Sequence, residues 1–243
     1  MAAASVIWVQ PNAERKEHRV NRSGETVTRN GVELLAKHLL VVTGPVDHGD
    51  WNYRPILGWQ QRQRFRMVKR LMGDLRFGHL LEIGYGSGVF APELARHCGR
   101  YTGIDIHRKN AEVTAVLNSV GIASDLLAGS ASYMPFEDNS VDCVIAVSVL
   151  EFVDDIEATC REVARVLHPD GRAFVTVTGD SPILDLGLKI ATGESADEDF
   201  ADRRSHIEDA IRESFVIERV VGFPRVRLGI QMYRAFDLRV LPK

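Results

Sequence analysis

Glycines at 84, 86 and 88 follow an apolar run in Leu80-Leu-Glu-Ile-Gly-Tyr-Gly-Ser-Gly-Val-Phe, with Glu82 just before them and Asp105 at the end of the next apolar stretch. A strand that turns straight into a helix needs positive φ or a bare Cα, and the missing side chains let a ligand lie against backbone amides near the helix N-terminus. A dinucleotide fingerprint, G-x-G-x-x-G, would place glycine at position 89, where Val89 stands, so the pyrophosphate spacing is broken. Glu82 suits a ligand with a cationic amino group instead. Asp105, in Gly103-Ile-Asp-Ile-His, falls at a strand's carboxyl edge, where a carboxylate can accept both ribose hydroxyls. An adenosine-bearing cation fits both carboxylates. The plain alternatives are a structural turn for the glycines and a helix N-cap for Asp105.

Positioning these groups requires a parallel sheet. From residue 79 onward, short apolar runs alternate with helical patterns, the signature of strands joined by crossover helices. The expected strands are His79 to Ile83, Tyr101 to Ile106, Asp125 to Ala128, Val141 to Val147 and Arg172 to Val177. Phe90 to His97 reads as the helix after the glycine turn. Val113, Val116, Leu117 and Val120, and then Ile156, Cys160, Val163 and Leu167, recur at helical spacing. His168-Pro169-Asp170-Gly171 marks a helix end and a tight turn. A helix around Ser205 to Glu213 and strand-like runs at Val216 to Val221 and Gln231 to Val240 complete the chain, the last two as an antiparallel hairpin. The fold class is therefore α/β: a doubly wound, seven-stranded, mostly parallel sheet with an antiparallel terminal hairpin. Residues 1–75 are assigned to an N-terminal cap or lid, and residues 76–243 to the cofactor-binding domain with an inserted flap at 181–204. Within the cap, Trp59 to Met72 is a basic helix, its charges read as a solvated face.

The glycine segment with Asp105 resembles the class I S-adenosylmethionine-dependent methyltransferases, of the methyltransferase-11-like kind, over about Gly78 to Val177. Gly129-Ser-Ala with Met134-Pro-Phe-Glu-Asp-Asn-Ser-Val-Asp is similar to the family's Gly-Asp-Ala … Leu-Pro-Phe … Phe-Asp segment, with Ser130 where an aspartate that bonds the adenine amine often stands. Val149-Leu-Glu-Phe-Val is similar to its Val-Leu-Glu-His-Val, with Phe152 in the histidine place, and Val166-Leu-His-Pro-Asp-Gly-Arg-Ala to its Leu-x-Pro-Gly-Gly turn. Tyr85 stands where a small residue or cysteine is commoner. The resemblance implies S-adenosyl-L-methionine as cofactor, held by Glu82, Gly84, Tyr85, Gly86, Gly88, Asp105, Ile106, Ser130, Ala131 and Ala146. It implies methyl transfer by in-line displacement, with a small-molecule acceptor expected first, a peptide or protein side chain second, and a non-catalytic partner protein third. An aminopropyl transferase and an NAD-dependent dehydrogenase share the fold; Val89 opposes the dehydrogenase, and the lack of an acidic polyamine motif opposes the other.

The acceptor side is less defined. Asp47-His-Gly-Asp-Trp-Asn-Tyr-Arg-Pro combines polar groups, aromatics and turn formers, and it reads either as a packed loop or as a lid, with His48 or Tyr53 as a candidate base. No Asn/Asp-Pro-Pro-Tyr motif or Pro-Cys pair appears, which argues against DNA base methylation. Composition narrows the partners further. The 243 residues carry 30 basic and 33 acidic side chains, for a net charge of −3, which argues against a nucleic-acid partner. No run is long and apolar enough to cross a bilayer and no export signal is read, so a cytoplasmic protein without a membrane partner is expected. Three cysteines without a C-x-x-C pair are read as core residues. The acidic stretch from Glu194 to Asp202 lacks a fixed ligand geometry, so no metal is expected. Monomer and homodimer both stay open.

Overall fold

The computed structural model describes residues 25–45, 47–179, 198–224 and 231–242. A hairpin of β1 (Thr26–Arg29) and β2 (Val32–Leu35) leads to α1 (Ile56–Met72). Then follow β3 (Phe77–Ile83), α2 (Ala91–Ala95), β4 (Cys98–Asp105), α3 (Asn110–Ser119), β5 (Asp125–Ala128), β6 (Val141–Val147), α4 (Ile156–Val166) and β7 (Leu167–Thr178). The chain ends with α5 (Glu198–Ser214), β8 (Phe215–Phe223) and β9 (Tyr233–Val240).

The large sheet has seven strands in the order β5-β4-β3-β6-β7-β9-β8, parallel through β7 and antiparallel where β9 meets β7 and β8. The order reverses between β3 and β6, both of which neighbour each other, and in doubly wound sheets a ligand crevice forms at such a switch point beyond the strands' carboxyl ends. Apolar strand residues are buried on both faces. On one side Leu80, Cys143 and Phe174 pack with Phe65, Val68 and Met72 of α1, Leu94 of α2 and Val113 and Leu117 of α3. On the other, Leu81, Val144 and Val175 pack with Ile156, Cys160 and Val163 of α4 and Ile207 and Ile211 of α5. Each fully buried aliphatic of these two layers contributes roughly 1.5–3 kcal/mol. Asp155 caps α4, its side chain accepting from the Ala158 amide at 2.7 Å.

Several boundaries differ from those expected. The strand read from Arg172 begins at Leu167: Leu167 pairs with Val141 and Arg172 with Cys143, so the His168–Gly171 turn is a bulge inside β7. The helix after the glycine turn is shorter, Ala91–Ala95. α5 starts at Glu198, within the segment assigned to the flap, and the rest of that flap lies outside the described residues, as do residues 1–24 of the cap.

The described part of the cap is fastened to the glycine-turn side of the sheet. The Leu35 amide donates to the Val89 carbonyl at 3.1 Å, and the Glu33 amide to Glu93 on α2 at 2.7 Å. Lys69 of α1 pairs with the same carboxylate at 2.7 Å, and Phe65 stacks on Phe90 at 4.3 Å. Although burial opposes its charge, bonds from His97, Lys69 and the Glu33 amide pull the Glu93 carboxyl down to about 2.

Candidate functional site

The parallel register pairs Glu82 with Gly103 and Ile83 with Ile104, which brings Glu82 and Asp105 to one edge of the sheet. Between them the chain leaves β3 through Gly84, Gly86 and Gly88 at φ of 72°, 50° and 71°, a left-handed path that glycine follows without penalty. The Gly84 amide still reaches back to the Ile104 carbonyl at 2.8 Å. The Gly86 peptide is clamped on both sides: its amide donates to Asp105 Oδ2 at 2.8 Å, and its carbonyl lies 3.0 Å from His107 Nε2. Because the Lys109 amide donates to His107 Nδ1 at 3.1 Å, the ring proton sits on Nε2 and points at Gly86. His107 escaped the sequence reading; the signal was its place two residues beyond Asp105.

Glu82 is 4 % exposed and has no cation within ion-pair reach among the described residues. Burial pushes its carboxyl up to about 8; the Tyr101 hydroxyl, donating to Oε2, opposes the rise, and neighbouring Asp105 adds to it. Asp105 keeps acceptor capacity beyond its bonds from Gly86 and from the His107 amide at 3.3 Å, since a carboxylate has about four lone-pair sites. Next to it Ile106 is 78 % exposed, an unusual state for a large aliphatic at the end of a core strand.

Other expected site residues fall at the same rim in different ways. Tyr85 turns its ring inward, against the bare Cα of Gly103 and edge-on to His107 at 4.9 Å, so only its backbone faces the turn. A Cβ at Gly84 would overlap a methyl of Val149, and one at Gly88 would press on Val113 and Leu117; these two glycines admit protein neighbours. Gly86 faces the Asp47 carboxylate of the cap, 3.4 Å from where a Cβ would stand. Ser130 is exposed, its Oγ accepting from the Ser132 amide at 3.2 Å, while Ala131 and Ala146 are buried. Ala146 lies between Ile83 and Val175, so it offers backbone only.

The cap segment crosses this edge. Asp47 is fixed by the Thr43 hydroxyl at 2.7 Å and the Gly49 amide at 3.0 Å, and Gly49 sits directly against Ser87 of the turn. His48 is exposed, its ring flat on Trp51 at 4.0 Å. Tyr53, the other candidate base, donates its hydroxyl to the Leu35 carbonyl, and burial raises its pKa, so in this arrangement it ties the segment to β2. Among the described residues no group of three or more His, Cys, Asp or Glu is arranged to hold a metal, and no helix is long and apolar enough to cross a membrane.

Residues 81–175 match the family described as a methyltransferase domain. The chain is 30 % identical over 122 residues to the ubiquinone biosynthesis O-methyltransferase of Neisseria meningitidis, covering 49 % of this chain and 51 % of that protein. It is 32 % identical over 135 residues to the ubiquinone/menaquinone biosynthesis C-methyltransferase UbiE of Pasteurella multocida, covering 51 % and 50 %. The chain thus spans about half the length of these curated relatives, and 26 % of the biotin biosynthesis bifunctional protein BioHC of Cellvibrio japonicus. Geranyl diphosphate C-methyltransferase from Streptomyces coelicolor A3(2), solved with Mg2+, geranyl diphosphate and S-adenosyl-L-homocysteine, shares the fold at a TM-score of 0.60 and 14 % identity, over 82 % of this chain and 87 % of that one.

Proposed function

We propose that this chain, whose residues 81–175 match the methyltransferase domain family, is a class I S-adenosylmethionine-dependent methyltransferase that transfers the methyl group of S-adenosyl-L-methionine to a small-molecule acceptor by in-line displacement. The observation that carries this reading is the clamped glycine turn with a carboxylate on either side, Glu82 and Asp105, at one sheet edge. The residues fit the cofactor. Glu82 is a buried carboxyl lacking a cation, Asp105 has unfilled lone pairs, and Ile106 offers an uncovered apolar face beside it. When bound, the cofactor supplies an electrophilic methyl on a sulfonium.

The chain's own residues have positioning tasks. Asp105 receives the ribose hydroxyls, Glu82 the amino group, Ile106 one face of the adenine, and Ser130 and Ala131 its edge. The backbone of Gly84, Tyr85, Gly86, Gly88 and Ala146 forms the floor. The cap, held by Tyr53 and Asp47, excludes water above the turn. Near-attack positioning is worth roughly 7–11 kcal/mol, more than the 10²- to 10⁴-fold of a general base, so a rigid donor site is the larger part of such a catalyst.

Titration calorimetry tests the reading directly. S-adenosylhomocysteine is expected to bind and NAD to give no heat; absence of S-adenosylhomocysteine binding overturns it. Labelled methyl from S-adenosylmethionine, followed into a panel of quinols, phenols, sterols and peptides, then sorts small-molecule acceptors from the alternative of a peptide or protein side chain.

A further inference from the structure

On the acceptor side of the switch point, the loop after β6 carries two buried polar atoms without hydrogen-bond partners, Ser148 Oγ and Glu151 Oε2. Ser148 is also one of three non-glycine residues with positive φ among those described, at 53°, and the other two are asparagines, which tolerate that conformation better than serine. Glu151 is 6 % exposed. Its Oε1 accepts from the Thr178 amide, which ties the loop to the end of β7 and leaves Oε2 unused. A buried acceptor left unpaired costs about 1–3 kcal/mol, so the fold gains nothing by holding Oε2 there.

What surrounds this oxygen is chemically specific. Thr178 lies in register with Tyr233, the first residue of β9. Arg64 of α1 lies over the Tyr233 ring at 5.9 Å and over Phe65 at 5.6 Å. Its Nε donates to the Gln61 carbonyl at 3.2 Å, and no carboxylate stands within ion-pair distance of the guanidinium among the described residues. Its charge is nonetheless felt by Glu151 and by Tyr233. Val149, two residues before Glu151, rests against Gly84 of the donor turn. A buried carboxylate oxygen and a guanidinium without an ion-pair partner, held over the buried Tyr233 ring, therefore lie close to the place assigned to the methyl donor.

We propose that Glu151 is the catalytic residue on the acceptor side, its Oε2 accepting the proton of a phenolic hydroxyl whose oxygen lies near Arg64. This rests on the methyltransferase reading above. In the step, the phenol O–H bond breaks with its proton passing to Oε2, the oxygen forms a bond to the methyl carbon, and the sulfur–methyl bond breaks with its electron pair staying on sulfur. The products are the aryl methyl ether, S-adenosylhomocysteine and protonated Glu151, which returns the proton to solvent. A phenol suits this set better than an alkyl amine: it arrives neutral and grows acidic as its oxygen is alkylated, and the negative charge that builds on that oxygen as its proton leaves faces a guanidinium until the methyl bond forms.

The test uses 4-methylphenol, which is neutral at physiological pH, with the full chain, and follows labelled methyl from S-adenosylmethionine into the aryl methyl ether. Glu151→Gln keeps an oxygen for the Thr178 amide and removes the base. It is expected to lose about tenfold in 4-methylphenol affinity for the S-adenosylhomocysteine complex, a fraction of a charge-assisted hydrogen bond, and about 100-fold in transfer rate. Its affinity for S-adenosylhomocysteine itself should not change. Arg64→Met, which keeps the apolar stem, is expected to weaken 4-methylphenol by a similar factor, and it decides the matter if the Gln variant fails to fold. If the wild-type S-adenosylhomocysteine complex does not bind 4-methylphenol, or if the variants bind and methylate it as the wild type does, the assignment is overturned. A wild type that fails to bind S-adenosylhomocysteine overturns the methyltransferase reading instead.

Discussion

Glu82, near the end of β3, and Glu151, in the loop after the neighbouring strand β6, are both buried glutamates. Each accepts one hydrogen bond, Glu82 from the Tyr101 hydroxyl and Glu151 from the Thr178 amide, and Oε2 of Glu151 is buried without a partner. Both neighbourhoods hold further unpartnered polar atoms, the Tyr85 hydroxyl and Ser87 Oγ in the glycine turn and Ser148 Oγ in the loop after β6. Charge is what separates them. Beside Glu82 stands a second carboxylate, Asp105, which with His107 clamps Gly86. Beside Glu151 stands the Arg64 guanidinium, with no ion-pair partner among the described residues. On the proposed reading, paired carboxylates suit a cationic donor, and a carboxylate with a guanidinium suits an acceptor that gives up a proton.

The largest effect is expected at the joint between the halves. Gly84→Ala puts a Cβ into the Val149 side chain at a φ of 72°. The left-handed backbone costs a non-glycine residue about 1–2 kcal/mol and overpacking another 1–3. Urea unfolding should therefore show a loss of roughly 2–5 kcal/mol, and adding Val149→Ala should recover the overpacking part alone. Full tolerance of Gly84→Ala would mean that the two halves are not locked together.

Next comes Asp105→Ala, which removes the carboxylate proposed to hold the ribose and releases the Gly86 amide. Hydrogen bonds to a charged group are worth about 1.5–3 kcal/mol each, so S-adenosylhomocysteine affinity should fall by about 100-fold or more. Asp105→Asn retains an oxygen for Gly86 and should lose less. Unchanged affinity in the Ala variant would break the donor side of the comparison.

Glu82 sharpens it through pH. An unfolded glutamate ionises near 4.5, the folded one near 8. Between these values the folded state holds a proton that the unfolded chain has released. Stability from this group is thus present at low pH and drains as pH rises, with a slope approaching 1.4 kcal/mol per unit, before levelling above 8. Glu82→Gln should flatten chemical-denaturation stability across this window. In the wild type alone, S-adenosylhomocysteine binding should tighten as pH rises towards 8, because an ammonium requires the ionised carboxylate. A wild-type profile as flat as the variant's would remove Glu82 from the amino-group site.

How much of this was readable beforehand depended on whether the cause was local. The order of strands from β3 to β7 and the helices between them follow from apolar periodicity, and Asp105 follows from its place at a strand end. The β1–β2 hairpin was overlooked, although Asn30-Gly31, both at positive φ, is the two-residue turn such a hairpin prefers; its strands are only four residues each, too short for periodicity to register. The commitment of Tyr53 to Leu35 and the bare oxygen of Glu151 depend on contacts across distant segments, and no spacing in the chain encodes them.

The smallest effect is expected at Ile106, on the donor side. The side chain is 78 % exposed, so Ile106→Ala should leave stability within about 0.5 kcal/mol, the range of ordinary surface changes. If its face is reserved for adenine, the variant forfeits apolar area buried only in the complex, and at about 25 cal/mol per Å2 the loss corresponds to a several-fold weaker S-adenosylhomocysteine. The discriminating measurement is a pair of ligands: adenosine should lose the same factor as S-adenosylhomocysteine, while the pH dependence that belongs to Glu82 should be untouched. A loss confined to S-adenosylhomocysteine and absent for adenosine would move Ile106 from the base to the methionine end of the cofactor.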